Sequence, residues 1–121
     1  MTLHLVLVAL ASILLAVPAD VSGKWSGSFK PDNEENPLPL FLVLKQDGGS
    51  LTGSGGPTET EQHPMQNGKI DGDHLVFEVN AGKGTFYFDL KIAGDEITGG
   101  LQMKRDSVTR TAKVSLKRAK P

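Results

Sequence analysis

Three polar residues in the middle of the chain alternate as metal ligands on a strand would. Glu59, Glu61 and His63 point to one side if this segment is extended, and two carboxylates with an imidazole can hold a divalent ion. The surrounding sequence has neither a glycine-containing calcium loop nor a paired histidine spacing. We therefore expect a solvated polar loop, with a metal site as the weaker alternative, and no cofactor.

The chain lacks the familiar catalytic patterns. It contains no Gly-x-Ser-x-Gly, no His-Glu-x-x-His, no phosphate-binding loop and no dinucleotide fingerprint. It has no cysteine, which removes disulfides, thiolate chemistry and Cys-ligated zinc. His74 is expected on an outer strand face, away from any serine or carboxylate. The sequence thus predicts a protein that is not an enzyme, and a hydrolase-like enzyme is the least favoured alternative.

The C-terminal stretch is strongly basic. Between residues 104 and 120, Asp106 is the single acidic residue, against seven basic ones: Lys104, Arg105, Arg110, Lys113, Lys117, Arg118 and Lys120. A basic strand pair can bind an anionic polysaccharide, nucleic acid or a membrane surface. Because no aromatic residues are interleaved, we expect no nucleic-acid partner, and we expect these side chains to meet the acidic loops at 31–37 and 56–64.

The residues discussed above are expected to lie on β-strands and the loops between them. A similar short sequence that contains a glycine turn recurs at 45–53, 69–76 and 91–99. A turn pair containing glycine, flanked by apolar alternation, is the strongest short-range hairpin signal. Glycine supplies the positive φ that a two-residue turn needs. The turns are predicted at 47–48, 71–72 and 93–94. Ile70 would then pair with Asp73, and the apolar residues of each hairpin would share one face.

Eight short strands with hairpin-length connections are predicted, at 21–30, 38–46, 50–55, 65–70, 73–79, 85–92, 95–105 and 110–118. An eight-stranded antiparallel up-and-down β-barrel is favoured, because closure removes the two edges that an open sheet leaves exposed. A β-sandwich is the alternative. In the barrel the three tight turns lie at one end, and the longer loops surround the other end, which is the predicted mouth.

The chain begins with a segment typical of a secretory signal peptide. Residues 1–19 contain no Lys, Arg, Asp or Glu, and an apolar run too short for a membrane span precedes Val17-Pro18-Ala19, a pattern that signal peptidase recognises. A retained anchor is the alternative. The remaining residues, 20–121, form a single domain. We expect a secreted or periplasmic protein without stable membrane insertion.

Two stretches resemble known families. Gly23-Lys24-Trp25, followed by residues 47–53, resembles the opening of avidin-type barrels, and the Gly-x-Trp start also resembles the wider lipocalin group of calycin barrels. This resemblance covers the first three strands. Gly27 and Gly55 stand where avidins have an amide and an aromatic hydroxyl, and a single tryptophan leaves no biotin cage. From Gly-Lys-Trp to residues 117–120 the chain also resembles uncharacterised exported bacterial domains, which implies no known activity.

The candidate ligand site lies at the mouth of the predicted barrel. If Met103 pairs with Ala112, then Arg105 pairs with Arg110 on the inward side, at the same end as Lys83. Two facing guanidinium groups repel unless something neutralises them. Candidates are Asp106, an acidic residue of the 56–64 loop, or a bound anion.

The predicted interior below the arginines is almost entirely hydrocarbon. Gln66 is its main polar side chain, and Trp25 is packed inside, near the closed end. The predicted ligand-binding residues of the mouth and interior are Arg105, Arg110, Lys83, Gln66 and Trp25. The sequence therefore predicts an exported, non-catalytic barrel that acts as a binding or accessory module for a small amphipathic or anionic ligand. The outward apolar residues Phe41 and Val43 favour the alternative, a structural or subunit-contact protein that forms a homo-oligomer.

Overall fold

The computed structural model describes residues 20–82 and 84–119. They form eight strands: β1 (Gly23–Pro31), β2 (Leu38–Asp47), β3 (Ser50–Gly56), β4 (His63–Asp71), β5 (His74–Ala81), β6 (Gly84–Ala93), β7 (Glu96–Arg105) and β8 (Val108–Arg118). Consecutive strands pair antiparallel and β8 pairs with β1, so the sheet closes. The predicted eight-stranded antiparallel barrel is confirmed. The predicted signal peptide at 1–19 and Lys83 lie outside the described residues.

Alternation along each strand fills the barrel interior with apolar side chains. All eight strands contribute to a single core, whose largest fully buried side chains are Trp25, Leu42, Leu75, Leu90, Ile97, Leu116 and Val21. Within 20–82 and 84–119, no polar or charged side chain is buried. No helix among these residues is long and apolar enough to cross a membrane.

The three tight turns lie at one end of the barrel, but each begins one residue later than predicted. The loops are 48–49, 72–73 and 94–95, so Ile70 pairs with Leu75 rather than with Asp73. Glycine takes the first loop position each time, with φ of +63, +64 and +63° at Gly48, Gly72 and Gly94. Positive φ at that position alone is typical of the type II′ turn. The shift moves each partner by two positions, which leaves the buried face unchanged.

The N-terminal segment is fastened at this same end. The indole N–H of Trp25 donates to the carbonyl oxygen of Val21 (2.9 Å), and the guanidinium of Arg118 lies 4.4 Å from the centre of the Trp25 rings. Arg118 also donates to the carbonyl oxygens of Ser22 (3.0 Å) and Asp20 (3.1 Å). One cation thus joins the end of β8 to the segment that precedes β1, and we call this end the closed end.

Candidate functional site

The opposite end of the barrel is open and apolar. Inward positions of the strands continue to this end with hydrophobic side chains that are only half-buried or are exposed: Phe29, Leu38, Met65, Phe86, Met103 and Val108. Leu38 and Val108 expose 42% and 54% of their surface. Phe29, Met65, Phe86 and Met103 pack against the core, whereas Leu38 and Val108 remain exposed although the alternation of their strands directs them inward. This ring is the first feature of the candidate site.

Two members of this ring, Phe29 and Phe86, line a cavity of about 220 Å³, which we call the mouth pocket. Its walls come from seven of the strands and include Phe29, Leu40, Gly55, His63, Val79, Phe86 and Leu101. Phe88 also lines the mouth pocket, and its ring stacks on Phe77 with the two centroids 4.6 Å apart. Since core side chains fill the barrel beyond this stack, the mouth pocket is a shallow cup rather than a channel.

A second, wider hollow adjoins the mouth pocket at the ends of β5 to β8. It has a volume of about 820 Å³ and contains both predicted arginines, Arg105 and Arg110; we call it the arginine hollow. Ala81 and Phe86 line both cavities, so the mouth pocket and the arginine hollow are neighbours. The structure therefore brings together the apolar and cationic elements that the sequence placed at the mouth.

The two arginines are not paired across the strands as expected. Met103 pairs with Arg110, and Arg105 pairs with Val108. The reason is that the β7–β8 connection is a two-residue turn, with Asp106 at a φ of +56°, instead of the four-residue loop the sequence suggested. The observed β7–β8 register again differs from the predicted one by two residues. Both arginines keep inward positions on their strands, but they are diagonal rather than opposite neighbours.

Neutralisation of the basic strands by the acidic loops was a wrong prediction. Among the described residues, the ion pairs are His63–Glu61, His74–Asp89, Lys91–Asp73 and Arg118–Asp95, and none joins these loops to β7 or β8. In the acidic loops, Asp32 accepts a hydrogen bond from the Thr111 hydroxyl instead, and Gln62 donates to the carbonyl oxygen of Phe41 (3.2 Å). Arg105 and Arg110 thus have no ion-pair partner in the described part of the chain.

Gln66 does not line the interior, so that prediction is also wrong. A β-bulge in β4 sets Asn67 and Gly68 opposite the single residue Phe77 of β5, and Asn67 adopts a φ of +54°. One extra residue reverses the alternation on the far side of a bulge. Gln66 is therefore exposed, while Met65 packs against the core.

The remaining sequence candidates are scattered. Glu61 and His63 lie at the edge of the mouth pocket, with Oε2 and Nε2 4.0 Å apart, whereas Glu59 lines a separate small cavity beside Lys24. No group of three His, Asp or Glu side chains that could hold a metal ion occurs within residues 20–82 and 84–119. Trp25 is buried near the closed end and does not line the mouth pocket.

His74 has a partner that the sequence reasoning missed. Its Nε2 atom lies 2.5 Å from Oδ1 of Asp89 on the outer face of the barrel. In the register, Asp89 is diagonal to His74, two residues from its direct partner Lys91. The expectation that no carboxylate would lie beside His74 was wrong. Both side chains are exposed, so the pair is a surface contact.

Comparisons with known proteins identify no relative. No family model matches the chain, and neither the curated proteins nor the solved structures include a match. The site must therefore be interpreted from its own geometry.

Proposed function

We propose that this protein is an exported, non-catalytic β-barrel that binds a small amphipathic ligand with an acidic head at its open end. The single observation that carries the proposal is the position of the apolar mouth pocket beside the arginine hollow, with Ala81 and Phe86 lining both. An apolar cavity with a few polar groups at its edge is the usual form of a small-molecule site.

The shape of the mouth supports a ligand that enters by its apolar end. The mouth pocket has a floor at the Phe77–Phe88 stack, so it accepts a short chain or the tip of a longer one. Val108 is exposed and lines the adjoining arginine hollow, so it is apolar surface that a bound ligand would also cover. Removing this apolar surface from water provides the driving force for binding.

The charge of the arginine hollow supports an acidic head group. Guanidinium groups bind carboxylates and phosphates through charge-assisted hydrogen bonds. In the described residues Arg105 and Arg110 are committed to no acidic partner, and the β3–β4 loop that carries Glu61 lies across the closed ring from β8. Asp106 also lines the arginine hollow, which therefore holds one carboxylate against two guanidinium groups, with no ion pair to either arginine in the described residues. A ligand anion would balance the excess positive charge.

The exported and non-catalytic parts of the proposal rest on the sequence. Residues 1–19 support export, and the absence of a nucleophile motif, a metalloprotease motif and cysteine supports binding without chemistry. The barrel itself is compatible with the calycin-like resemblance noted at Gly23-Lys24-Trp25, in which case a ligand at the barrel mouth would be unsurprising.

Three related probes test the proposal by thermal denaturation. Octanoate carries both tail and acid, 1-octanol the tail alone, and acetate the acid alone. At a concentration 100-fold above its Kd, octanoate should stabilise the barrel by about 2.7 kcal/mol, which raises Tm by roughly 10–20 °C for a domain of this size. Each of the other two probes should raise Tm less.

Variants locate the effect. Arg105→Ala/Arg110→Ala should weaken octanoate binding by about tenfold or more and remove its advantage over 1-octanol, because charge-assisted hydrogen bonds are lost. Lys45→Ala/Lys69→Ala removes the same charge from exposed positions of β2 and β4 and should leave octanoate binding unchanged. If the arginine variant is more stable than the parent and no probe raises either Tm, the binding proposal is wrong.

One observation favours a second function, as a structural or subunit-contact protein. Val43 on the outer face of β2 exposes 39% of its surface, and Phe41 beside it is half-buried. Exposed apolar residues on a sheet face are a common basis for homo-oligomer contacts. Sedimentation velocity at high micromolar concentration tests this alternative, because a strict monomer would exclude it.

A further inference from the structure

The outer face of β1 and β8 is lined by lysines and small hydroxyl residues. Cross-strand pairs on this face are Lys30 with Lys113, Ser28 with Ser115, and Ser26 with Lys117, and Lys24 follows at the closed end. We call the outward positions of these two strands the lysine face. Its residues point away from the interior, so it is separate from the mouth.

The lysine face has more lysines than nearby acidic side chains: Glu59 lines the same small cavity as Lys24, and Glu96 stands opposite Lys117. Within the described residues, none of its four lysines takes part in an ion pair. Lys30 and Lys113 stand directly opposite each other, an arrangement that destabilises a sheet. Glu96 is the cross-strand neighbour of Lys117 on the other side, yet the two are not within ion-pair distance. The lysine face is thus complementary to an anion that the barrel does not provide.

The shape of the lysine face suits an extended polymer. Lys113 and Lys117 are four residues apart on one strand, which separates their positions by about 14 Å, and small side chains lie between them. Ser26, Ser28 and Ser115 accept and donate no side-chain hydrogen bond in the described part of the chain. Gly100 of the adjacent β7 adds no bulk beside Lys113. A polymer chain bound to this face could place its hydroxyl groups against the serines of the sheet, between two groups of lysine ammonium ions.

We propose that the lysine face binds a linear anionic polysaccharide, with its sulfate or carboxylate groups at the lysines and its hydroxyls at the serines. The outward positions of β1 and β8 carry no aromatic residue on which nucleic-acid bases could stack, and the ring of Phe41, cross-strand from Ser26 on β2, is half-buried. They also carry no apolar side chain to enter a lipid layer; on the adjacent β2, Val43 is the exposed apolar neighbour of Lys24, so a membrane would gain charge attraction with little apolar contact. The lysine face does not depend on the proposed ligand at the mouth.

Binding of fluorescently labelled dextran sulfate, measured by anisotropy, tests the proposal against neutral dextran. The parent should bind dextran sulfate and not dextran. If all four lysines displace a counterion, log Kd should rise with log salt with a slope of about 3. Labelled oligodeoxythymidylate and phosphatidylglycerol vesicles should bind more weakly than dextran sulfate at the same salt concentration. Equal or tighter binding of either one would overturn the choice of a polysaccharide.

Two charge-matched variants assign the binding to this face. Lys30→Gln/Lys113→Gln should weaken dextran sulfate binding by about 30-fold, since each lysine near an anionic surface contributes about a fivefold change. It should also keep or raise Tm without polymer, because the facing charges are gone. Lys45→Gln/Lys69→Gln should bind like the parent. An equal loss in both variants, or none in the first, would show that the lysine face is not the site.

Discussion

Substitution of Gly27 by alanine should separate the two strands that close the barrel. Gly27 lies in the middle of β1, opposite Leu116 of β8. A Cβ at this position would lie 2.0 Å from the carbonyl oxygen of Ser115 and 2.8 Å from the Cα of Leu116. Both are backbone atoms of β8, so no side-chain rotation can relieve the overlap. The strands themselves must move apart.

The size of the effect follows from that movement. An ordinary carbon–oxygen contact needs about 3.4 Å, so β1 and β8 must separate locally by about 1.4 Å. Ladder hydrogen bonds beside Gly27 would then exceed the normal N···O range. Overpacking typically costs about 1–3 kcal/mol, and each hydrogen bond contributes about 1 kcal/mol net. We expect Gly27→Ala to lower the free energy of unfolding by about 3 kcal/mol.

Urea denaturation followed by tryptophan fluorescence measures this loss, with Gly100→Ala as the matched control. A Cβ at Gly100 would find its nearest atom, the carbonyl oxygen of Ala112, at 3.9 Å, an ordinary contact. That variant should change stability by less than about 0.5 kcal/mol. Because a separated seam exposes two strand edges, Gly27→Ala should also self-associate. Equal urea midpoints for the two variants would refute the close approach of β1 and β8.

Three further predictions concern the closed end. Trp25→Ala should cost about 3–5 kcal/mol in urea denaturation, and the parent should show the blue-shifted emission of a buried indole; emission typical of full water exposure would contradict its placement. Gly72→Val should lower Tm, because a β-branched residue is forced to positive φ, whereas Gly72→Asn should be tolerated. Hydrogen bonds from the backbone N–H and then the hydroxyl of Ser22 lower the pKa of Asp20 below its usual 3.8. The stabilisation of the folded protein by the ionised Asp20 carboxylate should therefore be complete at neutral pH and be lost as the pH falls through that lowered pKa. The Tm difference between the parent and Asp20→Asn should accordingly vanish in acid.

The barrel was predictable because its signals are local and repeated. Alternation assigned most residues of β2, β5 and β6 to the correct face, and glycine marked the turns. The predicted cross-strand pairs were wrong at every tight turn. A turn that starts one residue later shifts each residue's partner by two positions but leaves every side chain on the same face of the sheet. The burial pattern therefore determines which face of the sheet a residue occupies. It does not distinguish two cross-strand registers that differ by two residues. For Arg105 and Arg110, the face was enough to predict that both lie at the open end of the barrel, but it did not predict their cross-strand partners.

The errors about single side chains have nonlocal causes. The bulge at Asn67 reverses the alternation of β4, and its sequence, Gln66-Asn67-Gly68, looks like an ordinary strand with a glycine. The contact of His74 with Asp89 is diagonal, so it needs the register of two strands before it can be found. A useful signal was present at the mouth. Apolar residues continued at inward positions to the strand ends, where Leu38 and Val108 remain exposed.

The two ends of the barrel differ in the contacts that their residues make. At the closed end, Trp25, Val21 and Arg118 form buried or mutually bonded contacts that fasten the chain before β1 to the end of β8. At the open end, Phe86 packs against the core and lines both cavities, and the two arginines form no ion pair in the described residues. Because the core and the Phe77–Phe88 stack separate these ends, substitutions at the mouth should leave the closed end intact. Under the proposed function, affinity at the open end could therefore change with little loss of stability, because the rigid scaffold would carry the proposed site at its edge.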